Sequence, residues 1–259
     1  MRTLAVINQK GGVGKTTTAV SLAAMFGRWG RRTLLVDLDS QANTTRWLRG
    51  SHLELGEDGD RLLADALTEG TELPVHPSAV EGVDLVPSSG MNMASLDLVL
   101  SGEPGAQLIL RQALHALPDR WDYVLLDCPP SLGLMSVSAL AAANDALVPI
   151  EPKGMALEGL RTVDRTVGLV GDRLNPELKL SGILVCRANQ RTRLTQDVVE
   201  AIRAKYPAQL ISAYVRENVT LAEANSHRMS IFDYAPSSNG AADYEAVARE
   251  VIARAEGAN

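Results

Sequence analysis

Cysteine is scarce in this chain of 259 residues: there are two, Cys128 and Cys186, far apart and without CxxC spacing. That excludes a disulfide framework and a zinc finger, and it fits a reducing compartment. Both cysteines lie in apolar, strand-like contexts and read as buried small hydrophobes. Long apolar runs are missing as well, none approaching the ~20 residues that cross a membrane. A strand-like run starts within three residues of Met1, which leaves no room for a secretory leader. There is no internal repeat and no low-complexity tract. Basic charge is in deficit, with 25 Lys and Arg against 31 Asp and Glu and a net charge of −6. Such a balance argues against general nucleic-acid binding. What is present is a 46% hydrophobic chain, long enough to bury one large core without metals or disulfides. We read residues 1–259 as a single cytoplasmic domain.

Short apolar runs bounded by turn residues recur at 3–7, 33–38, 83–86, 123–126, 146–150 and 180–186. Runs without alternation suit strands buried on both faces, as in a parallel sheet. Helical stripes lie between them: Ala19, Leu22, Phe26 and Trp29; Leu160, Val163, Val167 and Val170; Val198 and Ile202; Tyr244, Val247 and Val251. These read as core faces. Residues 50–82, broken by glycine and proline, suggest one short helix near 61–68 between surface loops. The fold class expected is α/β, a doubly wound, mostly parallel sheet flanked by helices, with ligands at the carboxyl ends of the strands.

After the first run comes Gln9-Lys10-Gly11-Gly12-Val13-Gly14-Lys15-Thr16-Thr17. A strand feeding a glycine loop that opens onto a helix builds a phosphate cradle. Backbone N–H groups point inward, the helix dipole adds to them, and Lys15 supplies a positive charge. Gly11, Gly12 and Gly14 let the backbone curl closely around phosphate. The Thr16 hydroxyl stands where it could ligate the Mg²⁺ of a nucleoside triphosphate. The first loop position holds Gln9 where an ordinary phosphate loop has glycine, and Lys10 adds a second lysine. Lys10 reads either as a solvated charge or as a group that reaches the nucleotide of a second protomer.

The second run ends in Asp37-Leu38-Asp39-Ser40-Gln41-Ala42-Asn43. Carboxylates two apart on a strand point the same way, and beside phosphate they require Mg²⁺ or water between. Asp39, farther beyond the strand, is the better candidate to hold an attacking water, and it joins Thr16 and Asp127 as a candidate for the Mg²⁺ shell. Asp37 reads as a metal-shell or loop-organising acid. The run 123–126 ends in Asp127-Cys128-Pro129-Pro130, a rigid strand that delivers a carboxylate to a Mg²⁺ hydration shell. The two prolines then force an extended exit.

The KGGVGKTT string resembles the deviant Walker A box of the ParA/MinD family of P-loop ATPases. The segments Asp127–Gly133, Ala156–Leu160 and Tyr234–Tyr244 resemble small chromosomal ParA proteins of the Soj type. That resemblance implies binding of ATP and Mg²⁺ and an ATP-state homodimer in which Lys10 acts across the interface. It also implies non-specific binding of double-stranded DNA and a ParB-like centromere-binding partner that stimulates hydrolysis. The protein would then associate with the nucleoid. Because Met1 directly precedes the first strand, no N-terminal operator-binding module is expected. In the family's DxDPQxN switch this chain carries Ser40 for proline and Ala42 for a common glycine. Same-fold positioning of a protein cargo is an alternative that the ATPase residues leave open. MinD-type membrane cycling would need large apolar residues opposite lysines near the C-terminus, and the alanine-rich, mixed-charge end does not supply them.

Residues 179–228 hold eight Lys and Arg against four Asp and Glu, a local surplus of four positive charges. A basic face on an acidic body would make weak, salt-sensitive phosphate contacts, doubled in a dimer. Candidate DNA contacts are Arg191, in a matching R-T-x-L stretch, with Arg193, Arg203 and Arg228, the last in place of a family glycine. Asn218 matches an asparagine that the family uses at the nucleotide base. Arg187 and Arg216 stand where relatives often have a methionine and a proline lining adenine; either arginine could stack on the base or face DNA. His227 reads as a surface histidine.

Overall fold

The computed structural model describes residues 1–49, 63–100, 102–189 and 191–257. Its strands are Arg2–Val6 (β1), Thr33–Asp37 (β2), His76–Pro77 (β3), Val83–Val86 (β4), Tyr123–Asp127 (β5), Asp145–Ile150 (β6), Lys179–Ala188 (β7) and Val215–Arg216 (β8). They form a sheet in the order β3-β4-β2-β5-β1-β6-β7-β8, parallel throughout except for β3, which runs antiparallel to β4 at one edge. All six apolar runs became strands, with bounds shifted by at most two residues and 83–86 unshifted. The two elements without a run, β3 and β8, are two residues each and sit at the sheet's edges.

Helices cover both faces: Lys15–Arg28 (α1), Asn43–Leu48 (α2), Leu63–Glu69 (α3), Met91–Leu100 (α4), Ile109–His115 (α5), Leu134–Ala142 (α6), Ala156–Arg173 (α7), Arg193–Lys205 (α8), Val219–Ser226 (α9), Ile231–Tyr234 (α10) and Asn239–Ala255 (α11). The short helix expected near 61–68 is α3. Residues 50–62, including the first part of that expectation, lie outside the described residues.

Alternation along the strands divides the core into two layers. Leu4, Val6 and Leu35 pack with Ala19, Leu22 and Phe26 of α1 and with Tyr244, Val247 and Val251 of α11. Ala5, Ile7, Leu34 and Val36 face the other way, in the layer that holds Leu160, Val163, Val167 and Val170 of α7 and Val198 and Ile202 of α8. Each stripe read from the sequence is thus a buried face, except that Trp29 lies just past α1, partly buried under the guanidinium of Arg249. This doubly wound arrangement fixes where a ligand can sit. The chain leaves β1 toward β2 on one side and later builds β6 on the other. The carboxyl end of β1 is therefore the switch point where such sheets bind ligands.

Candidate nucleotide site

The glycine loop leaves β1 at that switch point and enters α1. Gly12 and Gly14 adopt φ of 74° and 96°, left-handed backbone that a Cβ would strain. Gly14 is the N-cap of α1 and makes no side-chain cap bond, so the helix's first N–H groups are left for a ligand. Asn8 anchors the loop's entry: its amide donates to the Pro149 carbonyl at 2.7 Å and its oxygen accepts the Lys10 N–H at 3.0 Å. Val13 is buried and pins the loop's centre, whereas Gly11 and Lys10 are exposed. The Lys15 ammonium is largely buried and donates to the Lys10 carbonyl at 3.2 Å. Desolvation lowers its pKa, opposed chiefly by the charge of Asp127. The Lys10 ammonium reaches solvent and has no partner among the described residues.

Asp127, at the end of β5, is fully buried. Its Oδ2 accepts hydroxyl hydrogen bonds from Thr16 at 2.8 Å and from Thr44 at 2.7 Å. Its Oδ1 is buried with no hydrogen-bond partner among the described residues. A buried, unpaired carboxylate oxygen beside a threonine hydroxyl fits the hydration shell of Mg²⁺. Burial pushes the Asp127 carboxyl up to about 6, against the pull of the two hydroxyls and Lys15. Asp37, its registered neighbour on β2, is pushed higher, by burial first and the Asp127 charge second. Asp37 does not reach the cleft. It accepts the Thr45 N–H and hydroxyl, each at 2.7 Å, and the Asp39 N–H at 3.1 Å. Of the two roles open for Asp37, the structure supports the loop-organising one: it caps α2 from a distance, where the local N-cap Ala42 sits at φ 51° without a cap bond of its own.

Asp39 lines the cleft. Its Oδ1 accepts the Gln41 N–H at 3.0 Å, its backbone carbonyl accepts the Ser88 hydroxyl at 2.7 Å, and its Oδ2 has no protein donor among the described residues. The same cleft, of about 610 Å³, is lined by Gly11, Gly12, Gly14, Lys15, Thr16 and Thr17 at one part. Arg187, Arg216, Asn218 and Tyr244 line another. Asn218 caps α9, its Oδ1 accepting the Thr220 N–H at 2.9 Å. Arg187, at φ 52°, pairs with Glu217 at 3.3 Å and Glu151 at 3.7 Å.

A protein-family profile described as an AAA domain matches residues 1–180. The chromosome-partitioning ATPase Soj of Thermus thermophilus is 43% identical over 256 residues, covering 99% of this chain and 97% of its own. The chromosome partitioning protein ParA of Myxococcus xanthus is 38% identical, covering 98% and 88%. A Mycobacterium smegmatis structure titled cobyrinic acid a,c-diamide synthase, with bound ADP and magnesium, superposes with a TM-score of 0.81 at 31% identity over 100% of this chain and 97% of that one. The chain belongs to the ParA/MinD superfamily of ATPases, among its Soj-type members.

In this ParA-type chain the four arginines expected at DNA fall into two groups. Arg191 precedes α8, Arg193 opens it and Arg203 lies near its end, all exposed; the sole ion pair described for them joins Arg193 to Asp197, at 4.0 Å. Arg228 sits apart, on the turn after α9 at φ 56°, a left-handed position that explains why glycine is the easier residue there. The neighbouring Met229 carbonyl accepts the Trp47 indole N–H, which ties this turn to α2. His227 is exposed and stacks on Tyr234 at 5.0 Å. Sequence reasoning missed Thr44, Thr45 and Asp243. Two adjacent hydroxyls opening a helix after an acidic strand end were the available signal for the threonines.

Proposed function

We propose that this protein is an ATP-driven partition switch. ATP binding closes a homodimer, the dimer holds double-stranded DNA without sequence preference, and a ParB-like partner stimulates hydrolysis to release it, so that chromosome or plasmid DNA is moved. The observation that carries this reading is the pair of lysines in one loop: Lys15 is drawn into the cradle, while the Lys10 side chain is exposed on its rim and has no partner among the described residues. One cation suits the phosphates held by its own loop. The other is free to reach those of a second protomer.

In the cleft, Lys15 and the N–H groups of Gly12 to Thr16 bind the β- and γ-phosphates. Thr16 and Asp127 would hold Mg²⁺, which would supply charge neutralisation at the phosphate oxygens. Asp39 orients a water with its Oδ2, while the Gln41 N–H holds its Oδ1 and the Ser88 hydroxyl holds its backbone carbonyl. Asn218, Arg187 and Arg216 form the nucleoside end. Arg191, Arg193, Arg203 and Arg228 supply phosphate contacts to DNA. The apolar face of α11 packs against α1, so that face is not available to lie on a membrane, and no described helix is long and apolar enough to cross one. The reading assigns the protein to the nucleoid in the cytoplasm.

An amide-forming ligase is the competing reading suggested by the name of the M. smegmatis protein. Releasing ammonia from an amide donor commonly uses a cysteine thiolate. Cys128 and Cys186 are both buried, and burial pushes each thiol up, Cys186 to about 12. Neither has nucleophile character, which favours the partition switch.

Lys10→Ala tests the proposal. Nucleotide affinity should stay within about twofold, since Lys10 is the rim cation, whereas sedimentation velocity should show loss of the ATP-dependent dimer. An undiminished ATP dimer in that variant would return Lys10 to the solvent.

A further inference from the structure

Arg216 differs from Arg191, Arg193 and Arg203, the exposed arginines on and beside α8, in being clamped by a nearly buried carboxylate. Exposed arginines ordinarily keep considerable rotamer freedom. The Arg216 guanidinium instead grips the Asp243 carboxylate with two nitrogens, Nε at 2.9 Å from Oδ2 and Nη2 at 2.5 Å from Oδ1. The Arg216 backbone N–H donates to the same carboxylate at 3.0 Å. Asp243 comes from α11 and its side chain is 10% exposed, while that of Arg216 is 44% exposed and lines the cleft. One edge of the guanidinium is therefore used up and its charge is matched by a buried partner. The side chain lines the nucleotide cleft and also a neighbouring hollow shared with Arg191 and Glu217, and a guanidinium gripped along one edge keeps its planar faces for stacking. Such a pair is a weak ligand for a DNA phosphate and a good platform for an aromatic ring.

The phosphate loop fixes one end of any nucleotide, so the nucleoside runs along the remaining lining, where Arg216 stands with Val215, Asn218 and Leu221. We propose that Asp243 is a positioning residue for the nucleobase: it pins Arg216 as a flat, charge-matched wall on which the base stacks. This rests on the reading of the cleft as a nucleotide site. It assigns Arg216 to the nucleotide and not to DNA. Stacking is tolerant of base identity because every base presents a π-face. The wall therefore adds affinity without choosing between purines.

The test is a set of calorimetric titrations of ATP, GTP and inorganic tripolyphosphate into the full chain and its R216A, R216K, D243A and D243N variants. Loss of one base-stacking platform should raise the dissociation constants of ATP and GTP by a common factor of roughly tenfold. Tripolyphosphate, which has no base, should bind all five proteins alike; this separates a stacking wall from a general distortion of the fold. R216K should resemble R216A, because lysine keeps the charge but lacks the plane. The R216A/D243A double variant should be no weaker than R216A alone, as expected for residues acting as one unit. If R216A and D243A leave ATP affinity unchanged, or weaken tripolyphosphate as much as ATP, the proposal is overturned. If R216A spares ATP but weakens duplex binding at saturating ATP, Arg216 is a DNA contact. Failure of the unsubstituted chain to bind ATP would overturn the nucleotide reading itself, and this proposal with it.

Discussion

Asp127→Asn should make the nucleotide-free protein more stable at pH 8 while abolishing its stabilisation by Mg-ATP. Burial pushes the Asp127 carboxyl up to about 6 from 3.8, and its charge in turn raises the neighbouring Asp37, so keeping the pair ionised above pH 6 costs on the order of 3 kcal/mol at about 1.4 kcal/mol per pH unit. That figure already includes the favourable pull of Lys15 and the two threonine hydroxyls. Asparagine keeps an oxygen for Thr16 and Thr44 and carries no charge, so we expect a gain of about 1 to 3 kcal/mol, or roughly 3 to 10 °C in Tm. The sign follows from linkage. An acid with a raised folded pKa binds more protons folded than unfolded, so its penalty is absent below about 3.8, grows between 3.8 and about 6, and is complete above. The advantage of the variant over the unsubstituted protein should therefore be full at pH 8, smaller at pH 5 and gone near pH 4. Saturating Mg-ATP at about 100 times its dissociation constant adds roughly 2.7 kcal/mol to the unsubstituted protein, which should narrow or reverse the order. Urea melts across pH, with and without Mg-ATP, provide the measurement. A variant less stable than its parent at pH 8, or an advantage that does not shrink toward pH 4, would refute the reasoning.

Two further substitutions probe separate atoms of the cleft. Lys15→Ala removes the buried cation of the cradle and should raise the ATP dissociation constant about 100-fold, in line with losing one partner of a buried charge pair; near-native affinity by calorimetry would contradict its role. Asp39→Ala removes the water-orienting carboxylate but no phosphate contact. ATP binding and the ATP dimer should persist while single-turnover hydrolysis falls about 10²- to 10⁴-fold, and an unchanged rate would leave Asp39 a turn former.

The central strands were legible because burial on both faces leaves an uninterrupted apolar run, as in Leu34–Val36 or Val124–Leu126. His76–Pro77 and Val215–Arg216 were not, because two residues carry no periodicity and their pairing is decided by neighbouring strands. The phosphate loop was legible since its chemistry is local: glycines, lysine and threonine are adjacent in the chain. Contacts made across long separations were not. Nothing in the sequence around Thr44 places its hydroxyl on Asp127, and nothing around Asp243 places its carboxylate under Arg216. Asp243 stands in a helix beside the buried Tyr244, and a charge next to a core position was its single local trace. Thr192, Ser230 and Ser238 each cap a helix by accepting one of its N–H groups, and the sequence analysis singled out none of them.

The most direct test of the switch is duplex DNA binding measured across salt, with ATP and with ADP. Binding with ATP should ignore sequence and fall steeply with salt, each phosphate contact adding roughly −0.9 to the log–log slope. Four arginines per protomer in a dimer would bring that slope to about −7 at most. Charge-neutral substitution of Arg191 should weaken all duplexes alike and spare ATP binding and dimerisation. ATP-dependent, sequence-blind, salt-sensitive binding is the predicted result; equal affinity with ATP and ADP, or no binding to any duplex at low salt, would contradict it.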